Sequence, residues 1–127
     1  MSLHPAMPGN QNQRILIVED DPILAFALEE LLVEAGFEIA GVATRLEKAL
    51  AIIKSGVYDA AVLDANLAGA SAGPAVLALA ARGLPFLILS GYSRDQLSSA
   101  FSGALCLQKP CSPDRLIEAL RSILPTQ

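Results

Sequence analysis

Short apolar runs alternate along the chain with segments whose apolar residues recur at helical spacing. The runs predict β-strands at about residues 14–18, 38–43, 58–63, 85–89 and 104–107. The first run is apolar on both faces, which is typical of a strand in a parallel sheet covered by helices on both sides. Helices are predicted at about residues 22–35, 45–54, 74–82, 93–101 and 113–124, and residues 66–73 are predicted to form a loop.

Two of the predicted helices begin with clear start signals. Asp21 is a plausible N-cap with Pro22 in the first turn, and Ser112-Pro113 repeats this arrangement before the last helix. Helical spacing predicts an apolar stripe in each: Leu24, Leu28, Leu31 and Ala35 in the first helix, and Leu116, Leu120, Ile123 and Leu124 in the last.

Strands that alternate with helices imply right-handed crossovers and a parallel sheet. The chain is too short for a barrel of eight such units. We therefore predict an α/β fold, a flavodoxin-like doubly wound sheet of five strands with five helices. Periodicity alone does not determine strand order. In the natural order, 2-1-3-4-5, the first and third strands are neighbours, so the residues that follow them converge.

Composition narrows the class of protein. The chain has 127 residues, of which 53% are hydrophobic and 17% charged, which indicates one packed domain. We assign residues 14–124 to this domain and residues 1–13 to a disordered leader or to residues added for expression. No apolar stretch is long enough to cross a membrane, and no signal peptide is evident.

Charge and cysteine content exclude further classes. The net charge is -4 and no lysine or arginine cluster is present, so neither a nucleic acid nor a membrane is an expected partner. Cys106 and Cys111 have the wrong spacing for a zinc ribbon, and the single histidine, His4, lies in the leader. Both cysteines are interpreted as reduced thiols of a cytoplasmic protein.

Chemically informative residues follow the predicted strands. They are Glu19, Asp20 and Asp21 after the first strand, Asp64 after the third, Ser90 after the fourth and Lys109-Pro110 after the fifth. Each has an ordinary alternative role, as a helix cap, a turn residue or a solvated lysine. Their common placement at one edge of one sheet favours a shared site.

The acidic residues of this edge suggest a cation site. Carboxylates gathered at one point repel each other unless a cation is present. Mg²⁺ prefers one or two carboxylates, a carbonyl and waters. Glu19, Asp20, Asp64 and the backbone carbonyl of Asn66 fit this set.

The remaining groups suggest phosphoryl transfer. Asp64 could act as a carboxylate nucleophile and form an acyl phosphate. Lys109 would offer a positive charge to the phosphoryl oxygens, and Ser90 a hydroxyl.

On these motifs the chain resembles the receiver domain of two-component response regulators. The resemblance runs from about residue 14 to residue 124. The motifs, in order, are Ile15-Leu16-Ile17-Val18-Glu19-Asp20-Asp21-Pro22, Asp64-Ala65-Asn66-Leu67, Leu89-Ser90-Gly91-Tyr92 and Lys109-Pro110. The resemblance implies that Asp64 is the phosphoacceptor and that Mg²⁺ is held by Glu19, Asp20, Asp64 and the Asn66 carbonyl. It also implies that Ser90 is the switch hydroxyl, that Lys109 senses the phosphate and that the Lys109-Pro110 bond is cis.

Three features distinguish this sequence within the family. Cys106 occupies the position where most receivers carry an aromatic switch residue, and Tyr92 is a candidate to replace it. Gly69 stands where a proline is usual, which predicts a more mobile loop. The segment Pro85 to Tyr92 fits a Pro-Phe-x-x-x-Ser-Gly-Tyr pattern similar to that of stand-alone receivers from alphaproteobacteria.

The resemblance implies a single-domain response regulator that accepts a phosphoryl group from a sensor histidine kinase or a phosphotransfer protein. It would signal to a downstream protein by conformational switching. We expect no enzymatic activity beyond its own phosphorylation and dephosphorylation. The face of the last two helices and the fifth strand is the expected surface for readout and for any homodimer.

Three alternatives remain at this point. A pseudo-receiver would bind its partner without phosphorylation. A small binder of FMN or a nucleotide would need a phosphate-cradling loop after the first strand, where this chain is acidic. A dehalogenase-like phosphatase would need a second aspartate two positions after Asp64, where Asn66 stands.

Overall fold

The structure is a computed structural model that describes residues 13–91, residue 101 and residues 104–125. Its strands are β1 (Arg14–Val18), β2 (Glu38–Ala43), β3 (Ala60–Asp64), β4 (Asn66–Leu67), β5 (Ala70–Ser71), β6 (Phe86–Ser90) and β7 (Leu105–Gln108). Its helices are α1 (Pro22–Glu34), α2 (Leu46–Ser55), α3 (Gly73–Ala81) and α4 (Pro113–Ile123). The predicted helix at 93–101 lies outside the described residues except for its last position, as do Tyr92 and residues 1–12 of the predicted leader.

Five strands form a parallel sheet in the order β2-β1-β3-β6-β7. Apart from the short strands β4 and β5, which form a separate two-stranded sheet, this is the predicted order 2-1-3-4-5. The flavodoxin-like prediction is therefore confirmed.

The register aligns the carboxyl ends of the strands. Val18 lies opposite Leu63 of β3, and Asp64 lies opposite Leu89 of β6. Ser90 in turn lies opposite Gln108 of β7. Consequently the residues that end or follow β1, β3, β6 and β7 all lie at one edge of the sheet.

Both faces of the sheet are buried, as the apolar run of β1 predicted. Leu16 and Val18 pack into the layer that contains α2 and α3. Ile15 and Ile17 pack into the opposite layer, with α1 and α4. All four side chains are fully inaccessible to solvent, so β1 is held rigidly where its acidic continuation begins.

The first helix begins as predicted, and three of the four residues of its predicted stripe pack, partly buried, against the core: Leu28, Leu31 and Ala35. The Asp21 Oδ1 atom accepts a hydrogen bond from the Ile23 N–H at 2.9 Å, which confirms the N-cap. The buried positions are Ala25 and Leu32, whereas Leu24 of the predicted stripe is 44% exposed. Apolar residues occupy most positions of this helix, so spacing alone could not identify the buried row.

The last helix agrees with its prediction. The Ser112 hydroxyl accepts a hydrogen bond from the Arg115 N–H at 3.2 Å and caps α4. Leu116, Leu120 and Leu124 are buried against the sheet. Within the part of the chain that the structure describes, no helix combines the length and apolar character needed to cross a membrane.

Candidate functional site

Three carboxylates meet at the carboxyl edge of the sheet. Glu19, Asp20 and Asp64 each offer an oxygen, and these oxygens lie within 4.8 Å of one another. Strands β1 and β3 are hydrogen-bonded neighbours, so the residues that follow β1 and end β3 must converge. The structure therefore brings together the acidic residues that the sequence singled out.

Lys109 supplies the positive charge of this cluster. Its Nζ atom lies 3.0 Å from Asp64 Oδ2 and 3.3 Å from Glu19 Oε1. The backbone N–H of Lys109 donates to the Ser90 carbonyl at 2.7 Å, which continues the β6–β7 pairing into the site. The Lys109-Pro110 peptide bond is cis, as predicted. The Lys109 ammonium thus contacts two of the three carboxylates.

Glu19 is the most deeply buried member, with 2% of its surface exposed. Its Oε2 atom accepts a hydrogen bond from the Asp21 N–H at 3.2 Å. Burial raises the pKa of Glu19 to about 7 and outweighs the opposing effects of the Asp21 N–H and the Lys109 charge. A cation beside Glu19 would favour the ionised carboxylate, because opposite charge offsets the cost of burial.

Lys109 and Asp20 are shifted toward their charged forms. Burial works against the ammonium, but the contacts with Asp64 and Glu19 outweigh it and raise the pKa of Lys109. At Asp20 the effect of burial is likewise outweighed, chiefly by a hydrogen bond from the Ala68 N–H, which lowers the pKa of this carboxyl. That hydrogen bond reaches Asp20 Oδ2 at 2.9 Å.

The segment after β3 is a hairpin, whereas the sequence predicted a loop at residues 66–73. Strands β4 and β5 pair antiparallel, with Asn66 opposite Ser71 and Leu67 opposite Ala70. The Asn66 N–H donates to Asp64 Oδ1 at 3.2 Å, so the base of the hairpin is tied to the site. The sequence signal for this hairpin is Gly69 in the two-residue turn. Without a preceding asparagine or aspartate, a single glycine is a weak signal for such a turn.

Ser90 and Cys106 occupy adjacent strands near the site. Ser90 ends β6 with only 2% of its surface exposed. Cys106 lies opposite Ile88 on β7 and packs, partly buried, against the layer with α2 and α3. Tyr92, the predicted partner of Ser90 in switching, lies outside the described residues.

The donor set fits a small divalent cation. Carboxylate oxygens are the ligands that Mg²⁺ prefers, and three of them converge here beside the Lys109 ammonium. Glu19, Asp20 and Asp64 are the residues that could hold such an ion.

A cleft of about 400 Å³ adjoins the site between α1 and α4. Glu19 and Lys109 line it together with mainly apolar residues. The walls include Leu24, Leu28, Leu31, Pro110 and Leu116. Three of the four residues of the stripe predicted for α1 thus line an open cleft.

Comparison with known proteins gives a consistent result. The family model described as response regulator receiver domain matches residues 15–121. The solution structure of SdrG from Sphingomonas melonis Fr1 is 39% identical, covers 88% of this chain and 96% of its own, and superposes with a TM-score of 0.76. The response regulator TrrA from Thermotoga maritima, solved in complex with Mg²⁺-BeF, is 32% identical over 88% of this chain and 99% of its own, with a TM-score of 0.77.

A more distant similarity is to the positive transcription regulator of virulence factors BvgA from Bordetella pertussis. It is 29% identical over 100 residues, which cover 73% of this chain. The matched segment spans only 48% of BvgA, so this chain corresponds to about half of that relative.

Proposed function

The chain belongs to the response regulator receiver domain family of two-component signalling, and from this premise we propose that it accepts a phosphoryl group on Asp64 in a Mg²⁺-dependent reaction. The observation that carries the proposal is the placement of Asp64 between two further carboxylates and the Lys109 ammonium. A single aspartate at a strand end would not support it.

The residues that would hold Mg²⁺ are Glu19, Asp20 and Asp64, together with the backbone carbonyl of Asn66. When bound, the ion would offset the negative charge of the phosphoryl oxygens. Asp64 would form a bond from a carboxylate oxygen to phosphorus. The bond between phosphorus and the phosphohistidine nitrogen of the donor would break, and the leaving imidazole would take up a proton.

Strand pairing supports the role of the Asn66 carbonyl. Hydrogen-bonded and non-hydrogen-bonded pairs alternate along an antiparallel ladder. The Ala72 N–H donates to the Ala65 carbonyl at 2.9 Å, which marks the neighbouring Asn66–Ser71 pair as non-hydrogen-bonded. The Asn66 carbonyl is therefore directed away from β5.

Lys109 and Ser90 would respond to the new phosphoryl group. Phosphorylation adds about -1.5 to -2 charge at neutral pH. Lys109 already contacts Asp64 and could transfer this contact to a phosphoryl oxygen, while Ser90 could donate its hydroxyl hydrogen. We propose that these contacts shift the populations of two conformations and that Tyr92 moves with Ser90.

The finer assignments follow from the same proposal. The phosphodonor would be a sensor histidine kinase or a phosphotransfer protein, and the output would be contact with a downstream protein in the cytoplasm. The domain would catalyse nothing beyond its own phosphorylation and dephosphorylation. The face that contains α4 and β7 is the surface we propose for readout and for any homodimer.

Intact mass spectrometry after incubation with acetyl phosphate or phosphoramidate tests this proposal. We expect one phosphoryl adduct on the wild type with Mg²⁺ and none with EDTA. Asp64→Ala should prevent the adduct, whereas Asp59→Ala, at the opposite end of the same strand segment, should retain it. Absence of an adduct with every donor would instead favour a pseudo-receiver, which binds its partner without phosphorylation.

A further inference from the structure

We propose that the β4–β5 hairpin is a brace for the cation site, in which the backbone N–H of Ala68 positions the carboxylate of Asp20. The inference rests on the proposed function, since it concerns the Mg²⁺ that phosphoryl transfer would require. Ala68 is a positioning residue here, because it acts on the cation only through Asp20.

The hairpin turn has an unusual composition for its geometry. Ala68 and Gly69 have φ angles of +54° and +87°, so both central residues of this two-residue turn are left-handed. Such turns favour asparagine or aspartate followed by glycine. Alanine disfavours a positive φ, yet among the described residues Ala68 is the non-glycine residue that adopts one. Strain of this kind is a reason to look for function at the same position.

The turn is anchored at its base and in contact with Asp20 at its tip. Leu67 is buried, and the Ala72 N–H closes the base of the hairpin on the Ala65 carbonyl. At the tip, the Ala68 N–H donates to Asp20 Oδ2 at 2.9 Å, across 48 positions of sequence. The hairpin, anchored at its base, therefore holds one oxygen of the half-buried Asp20 side chain.

The same hairpin orients two of the proposed ligands. Its tip fixes one oxygen of Asp20 and thereby the orientation of that carboxylate. Its ladder directs the Asn66 carbonyl away from β5. When ligands are already oriented before the ion binds, less conformational entropy is lost on binding. Mutating groups that orient metal ligands therefore commonly changes metal affinity substantially.

The test is a titration of the full chain with Mg²⁺, followed by backbone amide NMR without any phosphodonor. Gly69→Ala disfavours the positive φ that the turn requires. It introduces no steric clash, because nothing lies within 4 Å of the added Cβ position. Gly36→Ala is the matched control, with a φ of +100°, equally open space and a position after α1. Ala68→Pro removes the donor, and Ala68→Asn keeps it while favouring the turn.

We expect Gly69→Ala to weaken Mg²⁺ binding by roughly three- to tenfold and Ala68→Pro by roughly tenfold or more. Gly36→Ala and Ala68→Asn should bind Mg²⁺ within roughly twofold of the wild type. In the wild type, the Ala68 amide should be protected from hydrogen exchange and should shift on Mg²⁺ addition.

Two results would overturn the inference. Equal or tighter Mg²⁺ binding by Gly69→Ala and Ala68→Pro would show that the hairpin does not support the site. Rapid exchange of the Ala68 amide in the wild type would show that the contact with Asp20 is not maintained. Failure of the proposed function is separate, because it would appear as no phosphoryl adduct on the wild type even where Mg²⁺ binds.

Discussion

The two edges of the sheet use the same kinds of charged residues in different surroundings. At the amino edge, Arg14 Nε lies 3.8 Å from Glu38 Oε1, and these side chains are 40% and 55% exposed. At the carboxyl edge, Lys109 contacts Glu19 and Asp64, with side chains 30%, 2% and 12% exposed. Water screens the first pair more readily than the second, so the charges at the carboxyl edge interact more strongly with one another.

This difference explains why chemistry is expected at one edge alone. At the amino edge the backbone N–H of Arg14 donates to Asp59 Oδ2 at 2.7 Å in an exposed hydrogen bond. At the carboxyl edge three acids share one lysine. A divalent cation would relieve this imbalance, which is a physical reason for binding there.

The largest expected effect is on Mg²⁺ affinity. Asp20→Asn should weaken binding by roughly ten- to a hundredfold, because one of three anionic ligands is lost. Asp59→Asn makes the same change at the amino edge and should leave affinity unchanged. Isothermal titration calorimetry of both variants checks this, and equal affinities would mean that Mg²⁺ binds elsewhere.

The next effect is on stability. Lys109→Met removes the ammonium but keeps an apolar stem, leaving Glu19 and Asp64 without a counter-charge. We expect a loss of about 1–2 kcal/mol in the free energy of unfolding in EDTA. Urea titration measures this, and Mg²⁺ should recover part of the loss.

The matched change at the other edge, Arg14→Met, should cost less than about 1 kcal/mol in the same urea titration, because the pair that it breaks is exposed. It should be insensitive to Mg²⁺. A loss equal to that of Lys109→Met would show that burial does not distinguish the two edges.

A smaller effect comes from backbone strain at the carboxyl edge. Ala68→Gly should raise the free energy of unfolding by roughly 0.5–1 kcal/mol, because glycine accepts a positive φ without a steric cost. Ala70→Gly, two residues away at an ordinary φ, should lower it. Thermal and urea unfolding of both variants test this, and destabilisation by both would contradict the strained turn.

The smallest effect is expected from Glu38→Gln. This change breaks the exposed pair with Arg14, so we expect the free energy of unfolding to fall by less than about 0.5 kcal/mol. Urea titration measures this loss, which should be smaller still at high salt. A loss above about 1 kcal/mol would show that the amino edge is more strongly coupled than its exposure indicates.

Most of the fold and site could be predicted because the carboxyl ends of parallel strands lie at the same edge of a sheet. Once the apolar runs of β1 and β3 were recognised, the convergence of Asp20 and Asp64 required only that these strands be neighbours. The cis bond at Lys109-Pro110 was predicted from the family resemblance, because residue spacing alone does not predict whether a peptide bond is cis or trans.

Two features could not be predicted for identifiable reasons. In α1, Leu24 is exposed although the spacing predicts it to be buried, because Leu24 and Ala25 are both apolar and only packing against the sheet distinguishes them. The β4–β5 hairpin was missed because Ala68 has no preference for the left-handed conformation that its turn requires. The switch role of Tyr92 and the helix at 93–101 stay predictions.

The contact between Lys109 and Glu19 joins positions 90 residues apart. During synthesis the acids therefore emerge long before the lysine that neutralises them. A contact between residues so distant in sequence forms late in folding, because closing the long intervening loop costs conformational entropy. Completion of the edge strand β7 positions this charge, so a nascent chain that lacks β7 would hold the acidic residues without the ammonium that contacts them.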